Sequence, residues 1–133
     1  MSLYVDSSAL LKRYVDEPDS VAAESLLQSD PSLLTARVTI VEVRRSLARL
    51  LGEREAGAAR AAFARDLRAF ALVELDEVTC ETAAGIAELT GVRTLDSLHL
   101  AAAQRVGGSL PFLTFDVRQA QAARSLGLTV IGA

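Results

Sequence analysis

The chain has 133 residues, half of them hydrophobic, and a formal net charge of −3. That length suits one domain, and that apolar share can build a core without disulfides or a structural metal; the single cysteine, Cys80, excludes an internal disulfide in any case. The mild acidity excludes holding nucleic acid by bulk charge alone, and no apolar run approaches the roughly 18 residues that span a bilayer.

One domain over 1–133 is therefore expected, with no membrane association and a cytoplasmic location. Met1 to Val5 is too short for the core of a secretory signal. Cys80 falls in a helical stretch and reads as a small buried hydrophobe. Lys12 is the only lysine; the remaining cations are arginines, which suit bidentate phosphate contacts.

Taken in chain order, Leu3 to Val5 is a short apolar run ending at Asp6. Ser7-Ser8 and a helical pattern over Ala9 to Val15 follow, which reads as strand, tight turn and capped helix. Pro18 stands where a first-turn proline belongs, ahead of a helix over Val21 to Leu27. Ser32 to Ala36 predicts a strand, and Val38 to Leu51 a helix with Ile40, Val43, Leu47 and Leu50 on one face, stopped by Gly52. Glu53 to Ala71 predicts a long alanine-rich helix with Phe63, Leu67 and Phe70 as its apolar stripe, and Leu72 to Leu75 a strand. Glu77 to Thr90 predicts a helix closed by Gly91. Thr94 is expected to cap a helix reaching Val106 and closed by Gly107-Gly108. Pro111 to Phe115 predicts a strand ending at Asp116, Val117 to Leu126 a helix closed by Gly127, and Leu128 to Ile131 the last strand. Short apolar strands that alternate with helices predict a three-layer α/β/α sandwich around a parallel five-stranded sheet.

In such sheets ligands bind beyond the carboxyl ends of the strands, where strand order reverses. Asp6 and Asp116 stand at two of those ends. Each acid alone has an ordinary explanation: Asp6 and Asp116 as helix N-caps, Asp96 as a carboxylate favoured by the helix dipole, Glu42 as half of a solvated pair with Arg45.

Together the segments around these acids resemble the PIN-domain nucleases, in particular the VapC toxins of bacterial toxin–antitoxin pairs. Tyr4-Val5-Asp6-Ser7-Ser8-Ala9-Leu10 is similar to the opening strand and turn of that family. Thr39-Ile40-Val41-Glu42-Val43 is similar to the helix that carries its second acid. The most specific pieces are Arg93-Thr94-Leu95-Asp96-Ser97-Leu98-His99-Leu100-Ala101 and Thr114-Phe115-Asp116 with the alanine-rich helix after it. Alanine is common in the family where Ser97 stands.

The resemblance implies that strands one and four are neighbours and that Asp6, Glu42, Asp96 and Asp116 meet in one pocket as the catalytic, metal-holding set. It implies Mg²⁺ or Mn²⁺ as cofactor and hydrolysis of RNA by a metal-activated water, leaving 5′-phosphate and 3′-hydroxyl ends. Asp6, Asp96 and Asp116 are the candidate direct ligands; Glu42 is a candidate for a second metal or for orienting the water. Thr114 and Ser7 are candidates to hydrogen-bond those ligands. The chemistry is coherent, because hard divalent cations take oxygen ligands and four unpaired carboxylates would otherwise repel one another. The resemblance further implies an RNA substrate, a small cognate antitoxin protein and a homodimer. Leu10, Leu11, Tyr14, Leu26 and the Phe63 stripe are candidate antitoxin contacts, with plain core packing as the competing reading.

His99, the only histidine, excludes two-histidine zinc motifs and two-histidine acid–base cleavage of RNA, and reads as a structural residue of its helix. Arg44, Arg45 and Arg49 read either as the edge of an RNA groove near Glu42 or as a solvated face. No phosphate-binding Gly-x-x-x-x-Gly-Lys occurs. A receiver-like phosphoacceptor domain shares the architecture, with Asp76 as its third-strand acid, but Asp6 lacks an acidic neighbour and the last strand lacks a lysine. A phosphatase of the haloacid-dehalogenase type wants an Asp where Ser8 stands. A non-catalytic PIN-like module that binds RNA or protein is the remaining alternative.

Overall fold

Alternation along the first strand divides the interior in two. Leu3 and Val5 point to one side of the sheet and Tyr4 to the other, and each joins a different apolar cluster. A computed structural model describes residues 2–29, 32–107 and 109–133. Its elements run β1 (Ser2–Val5), α1 (Ser7–Leu11), α2 (Ser20–Gln28), β2 (Ser32–Ala36), α3 (Val38–Leu50), α4 (Glu53–Leu67), β3 (Phe70–Val73), α5 (Glu77–Thr90), α6 (Thr94–Val106), β4 (Phe112–Thr114), α7 (Val117–Ser125) and β5 (Val130–Gly132). The sheet has the order β3-β2-β1-β4-β5 and every pairing is parallel. This is the expected α/β/α sandwich.

One face is covered by α1 to α4, which bury Leu10, Leu27, Val43, Leu47 and Phe63 against Leu3, Val5 and Leu113. The other is covered by α5 to α7, which bury Ile86, Leu100 to Ala103, Ala122 and Ala123 against Tyr4, Leu34 and Phe112. Three consecutive alanines in α6 let that helix lie close to the sheet, and the Tyr4 and Phe112 rings stack across β1 and β4 at 5.2 Å between centroids.

The β1–β4 pairing sets Val5 beside Leu113, and Asp6 N–H continues the ladder by donating to Leu113 O at 2.9 Å. The switch point therefore lies between the carboxyl ends of β1 and β4, with Asp6 on one lip and Asp116 on the other.

Several expectations shift. The alanine-rich helix ends at Leu67, and Phe70 belongs to β3, where it pairs with Leu33; strand pairing outweighs local helix propensity there. Helix α1 stops at Leu11 and α2 begins at Ser20, two residues after Pro18, with Asp19 as its N-cap. The cap of α6 is Arg93, so Thr94 lies inside the first turn and makes no cap. The last strand starts at Val130 because Leu128 turns inward to cap α7 through Ala123 O. Cys80 is exposed: Thr79, Ala83 and Ile86 take the buried face of α5, which turns the neighbouring position outward. Leu10 and Phe63 are core residues, not surface contacts. Gly91, at φ +75°, reverses the chain between α5 and α6. Gly108, half of the expected α6 stop, lies outside the described residues. Among the described residues no helix is long and apolar enough to cross a membrane.

Candidate active site

Three helices begin at the carboxyl edge of the sheet, and each brings an acid to its start, two as N-caps and one in the first turn. Asp6 caps α1, accepting from Ser8 N–H at 3.1 Å. Asp116 caps α7, accepting from Gln119 N–H at 3.0 Å. Asp96 lies in the first turn of α6. The exposed N–H groups and dipoles of helix starts favour anions, which offsets part of the repulsion among these three carboxylates. Asp6 and Asp116 are thus helix caps as well as residues bordering one shared cavity.

Glu42 comes from the interior of α3 and has no helix start to favour it. Its stabilising partner is His99, whose Nε2 lies 2.6 Å from Glu42 Oε1 and 3.5 Å from Asp6 Oδ1. The other ring nitrogen, Nδ1, lies 2.8 Å from the Tyr4 hydroxyl. His99 and Tyr4 are both buried, at 1% and 0% exposure. Burial alone would depress the His99 pKa; the nearby Asp6, the hydrogen bond and charge of Glu42, and Asp96 outweigh it, and the pKa is raised above the usual histidine value. The structural role expected of His99 reaches beyond its own helix: its Nε2 lies against both Glu42 and Asp6. Glu42 forms no ion pair with Arg45 among the described residues.

Asp6, Glu42, Asp96 and Asp116 line one cavity of 420 Å³, together with Ser7, Ser8 and Arg93. Asp96 is partly buried and its pKa is raised, first by burial and then by the charges of Asp116 and Asp6, against a smaller opposing pull from Arg93 and His99. The carboxylates therefore share one electrostatic environment. They converge without closing up: among the described residues no three histidine, cysteine or carboxylate groups stand as a ready metal-binding cluster.

Thr114 sits between two of the acids. Its buried hydroxyl accepts from Asp116 N–H at 3.1 Å, donates to Gln119 Oε1 at 2.7 Å and stands 3.3 Å from Asp6 Oδ2. Gln119 is itself wholly buried, and its Nε2 has no partner among the described residues. Turning that amide over would let Nε2 donate to Thr114 and release the threonine proton to Asp6. Ser7 lines the cavity, but Ser8 is the serine that holds Asp6, with its Oγ donating to Asp6 Oδ2 at 2.6 Å. The Asp-x-Ser spacing was the sequence signal for this, a turn closed two residues on. Gln119 and Arg93, the latter 3.8 Å from Asp96, had no such signal.

Two alternatives lose their footing. Asp76 caps α5 and pairs with Arg105, outside the acid cavity, so a receiver-like site is not assembled. Arg44 and Arg45 line a different cleft, between α3 and α4, and not the acid cavity.

The PIN domain family model matches residues 3–125. Ribonuclease VapC46 of Mycobacterium tuberculosis is 37% identical over 131 residues, which cover 98% of this chain and 96% of that protein. Among solved structures, FitAcB from Neisseria gonorrhoeae superposes with a TM-score of 0.76 at 21% identity, covering 98% of this chain and 96% of that one. VapBC-5 from Mycobacterium tuberculosis, a member of the VapBC family of toxin–antitoxin systems, gives 0.68 at 20% identity, covering 99% and 98%. These two likenesses are of fold.

Proposed function

Because the chain belongs to the PIN-domain family, and within it to the VapC ribonucleases, we propose that it is a divalent-metal-dependent endoribonuclease and the toxin of a toxin–antitoxin pair. The observation that carries this reading is the convergence of Asp6, Glu42, Asp96 and Asp116 on one cavity at the switch point of the sheet.

The donor set suits Mg²⁺ or Mn²⁺: four carboxylates, no thiolate, and a histidine already engaged on both ring nitrogens. Asp6, Asp96 and Asp116 would hold the ion, with Glu42, which shares His99 Nε2 with Asp6, available for a second ion or a water. When bound, a divalent cation supplies charge neutralisation at the phosphodiester and a water of lowered pKa. The chain supplies the rest. Asp6 is held by Ser8 and Thr114, and Asp116 by the start of α7, so neither carboxylate has to be ordered when substrate arrives. His99 keeps a proton at Nε2 directed at Glu42 and fixes that side chain. With its ring committed to Tyr4 and Glu42, His99 is not placed to activate a ribose 2′-hydroxyl, so the expected products carry a 5′-phosphate and a 3′-hydroxyl.

For the antitoxin, the cleft between α3 and α4 offers apolar Ile40, Val41 and Leu51 beside Arg44 and Arg60. An amphipathic segment with acidic flanks would suit it.

Incubating total RNA with the purified protein in Mn²⁺ or Mg²⁺, with the cut ends mapped, tests the reading. Cleavage should vanish in EDTA. Undiminished cutting in EDTA, or 2′,3′-cyclic phosphate ends, would rule the mechanism out.

A further inference from the structure

The acid cavity does not end at the acids. Arg93 and Asp96, which form one of its sides, also line a second cavity of 650 Å³ that runs on between the α5–α6 turn and α7. One wall is a single face of α7, where Arg118, Gln121 and Ser125 recur at helical spacing. The other is the end of α5 and the turn after it, with Leu89, Thr90 and Val92. Gly91 gives that turn its left-handed bend, and among the described residues nothing lies within 4 Å of where its Cβ would be, so the turn borders open space.

The charges change sign along this path. The inner cavity is dominated by four carboxylates, which repel a phosphodiester strand until a cation is present. The outer one carries two guanidinium groups against the one carboxylate of Asp96. The Arg93 side chain is 79% exposed and only loosely placed against Asp96, at 3.8 Å. Arg118 is exposed, in the first turn of α7, and has no ion pair among the described residues. A cation at a helix start opposes the dipole, so the stability of α7 does not account for it. The other basic cleft, between α3 and α4, shares no lining residue with the acid cavity among the described residues.

Resting on the nuclease reading above, we propose that the outer cavity holds the single-stranded RNA flanking the scissile bond. Arg93 and Arg118 take backbone phosphates, and Gln121 presents its amide to base edges. Thr90 and Ser125 offer only acceptor oxygens because their protons go to Ile86 O and Ala122 O, and Leu89 and Val92 supply the apolar surface of that wall. A duplex displays its phosphates on a stiff outer surface and does not enter a cavity of this size, whereas an unpaired strand can. Among the described residues no aromatic side chain lines the cavity, so grip comes from phosphate contacts and not from base stacking. Arg93 and Arg118 are binding residues in this scheme, and the reacting atoms stay with the acids.

Steady-state cleavage of a fluorogenic single-stranded oligoribonucleotide in Mn²⁺, measured over a range of salt, tests the assignment. Arg118→Ala should raise KM about tenfold, as expected for one charge-assisted phosphate contact, and leave kcat within about twofold. The salt dependence of kcat/KM should flatten by about 0.7 in logarithmic slope, the share of one phosphate on a single strand. Arg118→Lys should recover part of the loss. Ser125→Glu, at another exposed position of the same wall, should raise KM in the same way. Arg124→Ala, on the side of α7 that bonds Ala133 O, should match the wild type. An unchanged KM and salt slope in both Arg118→Ala and Ser125→Glu, with the wild type active, would overturn the groove and leave the nuclease reading standing. So would an equal loss in Arg124→Ala. A wild type that cuts no RNA in metal would overturn both.

Discussion

Replacing His99 by phenylalanine removes both nitrogens of the buried bridge and puts a somewhat larger apolar ring in their place. Two bonds are lost, the 2.6 Å contact to Glu42 and the 2.8 Å contact to the Tyr4 hydroxyl. A hydrogen bond to a charged group contributes about 1.5–3 kcal/mol and a neutral one about 1. The new ring retains the apolar contacts, so the net cost is about 3 kcal/mol, or roughly 10 °C in Tm for a domain of this length. The loss has a pH signature. The His99 pKa is higher folded than unfolded because Asp6, Glu42 and Asp96 together outweigh its burial. Its proton is therefore bound more tightly in the native state. The resulting stabilisation is fully present below the unfolded value of about 6.5 and is lost as pH rises through the raised folded value. The gap between wild type and variant in EDTA should be widest near pH 6 and should narrow toward alkaline pH. It should not close, because neutral His99 can still donate from Nε2 to Glu42 and accept from Tyr4 at Nδ1. Thermal melts from about pH 5.5 to 9 read both quantities. A gap below about half a kcal/mol, or one that stays the same at every pH, would refute the bridge.

Asp96→Asn should raise stability in EDTA by about 1 kcal/mol, since it removes a partly buried charge repelled by Asp116 and Asp6; Mn²⁺ should then stabilise the wild type more than the variant, and cleavage should fall to near background. If the variant melts lower in EDTA, is indifferent to metal and still cuts RNA, Asp96 is only a helix-dipole residue. Thr114→Val keeps the shape but removes the hydroxyl between Asp6, Gln119 and Asp116 N–H. It should cost about 1–3 kcal/mol and weaken Mn²⁺ binding, read by calorimetry, at least tenfold; unchanged affinity would separate Thr114 from the site. Asp76→Ala removes the cap of α5 and its pair with Arg105, so Tm should drop by a few degrees while cleavage stays at the wild-type rate; lost cleavage would mean that Asp76 reaches the chemistry.

Element type and order were legible because short, doubly buried strands and 3.6-residue apolar periods are local patterns. The acids stood out for the same reason, since Asp6, Asp96 and Asp116 each mark a helix start, and a helix start is written in adjacent residues. Long-range partners leave no such trace. Nothing around Phe70 announces that it leaves the alanine-rich helix to pair with Leu33. Nothing around Cys80 says which face of α5 is buried. Tyr4, Glu42 and His99 lie far apart in the chain, and only β1, α3 and α6 packing against one another brings a hydroxyl, an imidazole and a carboxylate into one hydrogen-bonded line. Local patterns were enough for the kind and order of the elements, their alternation around a parallel sheet, and which acids were available, though not for every boundary. The tertiary structure decided the neighbours of each acid: a helix start for three of them and, for Glu42 in mid-helix, a buried histidine, because a carboxylate without a helix dipole must find its partner across the fold.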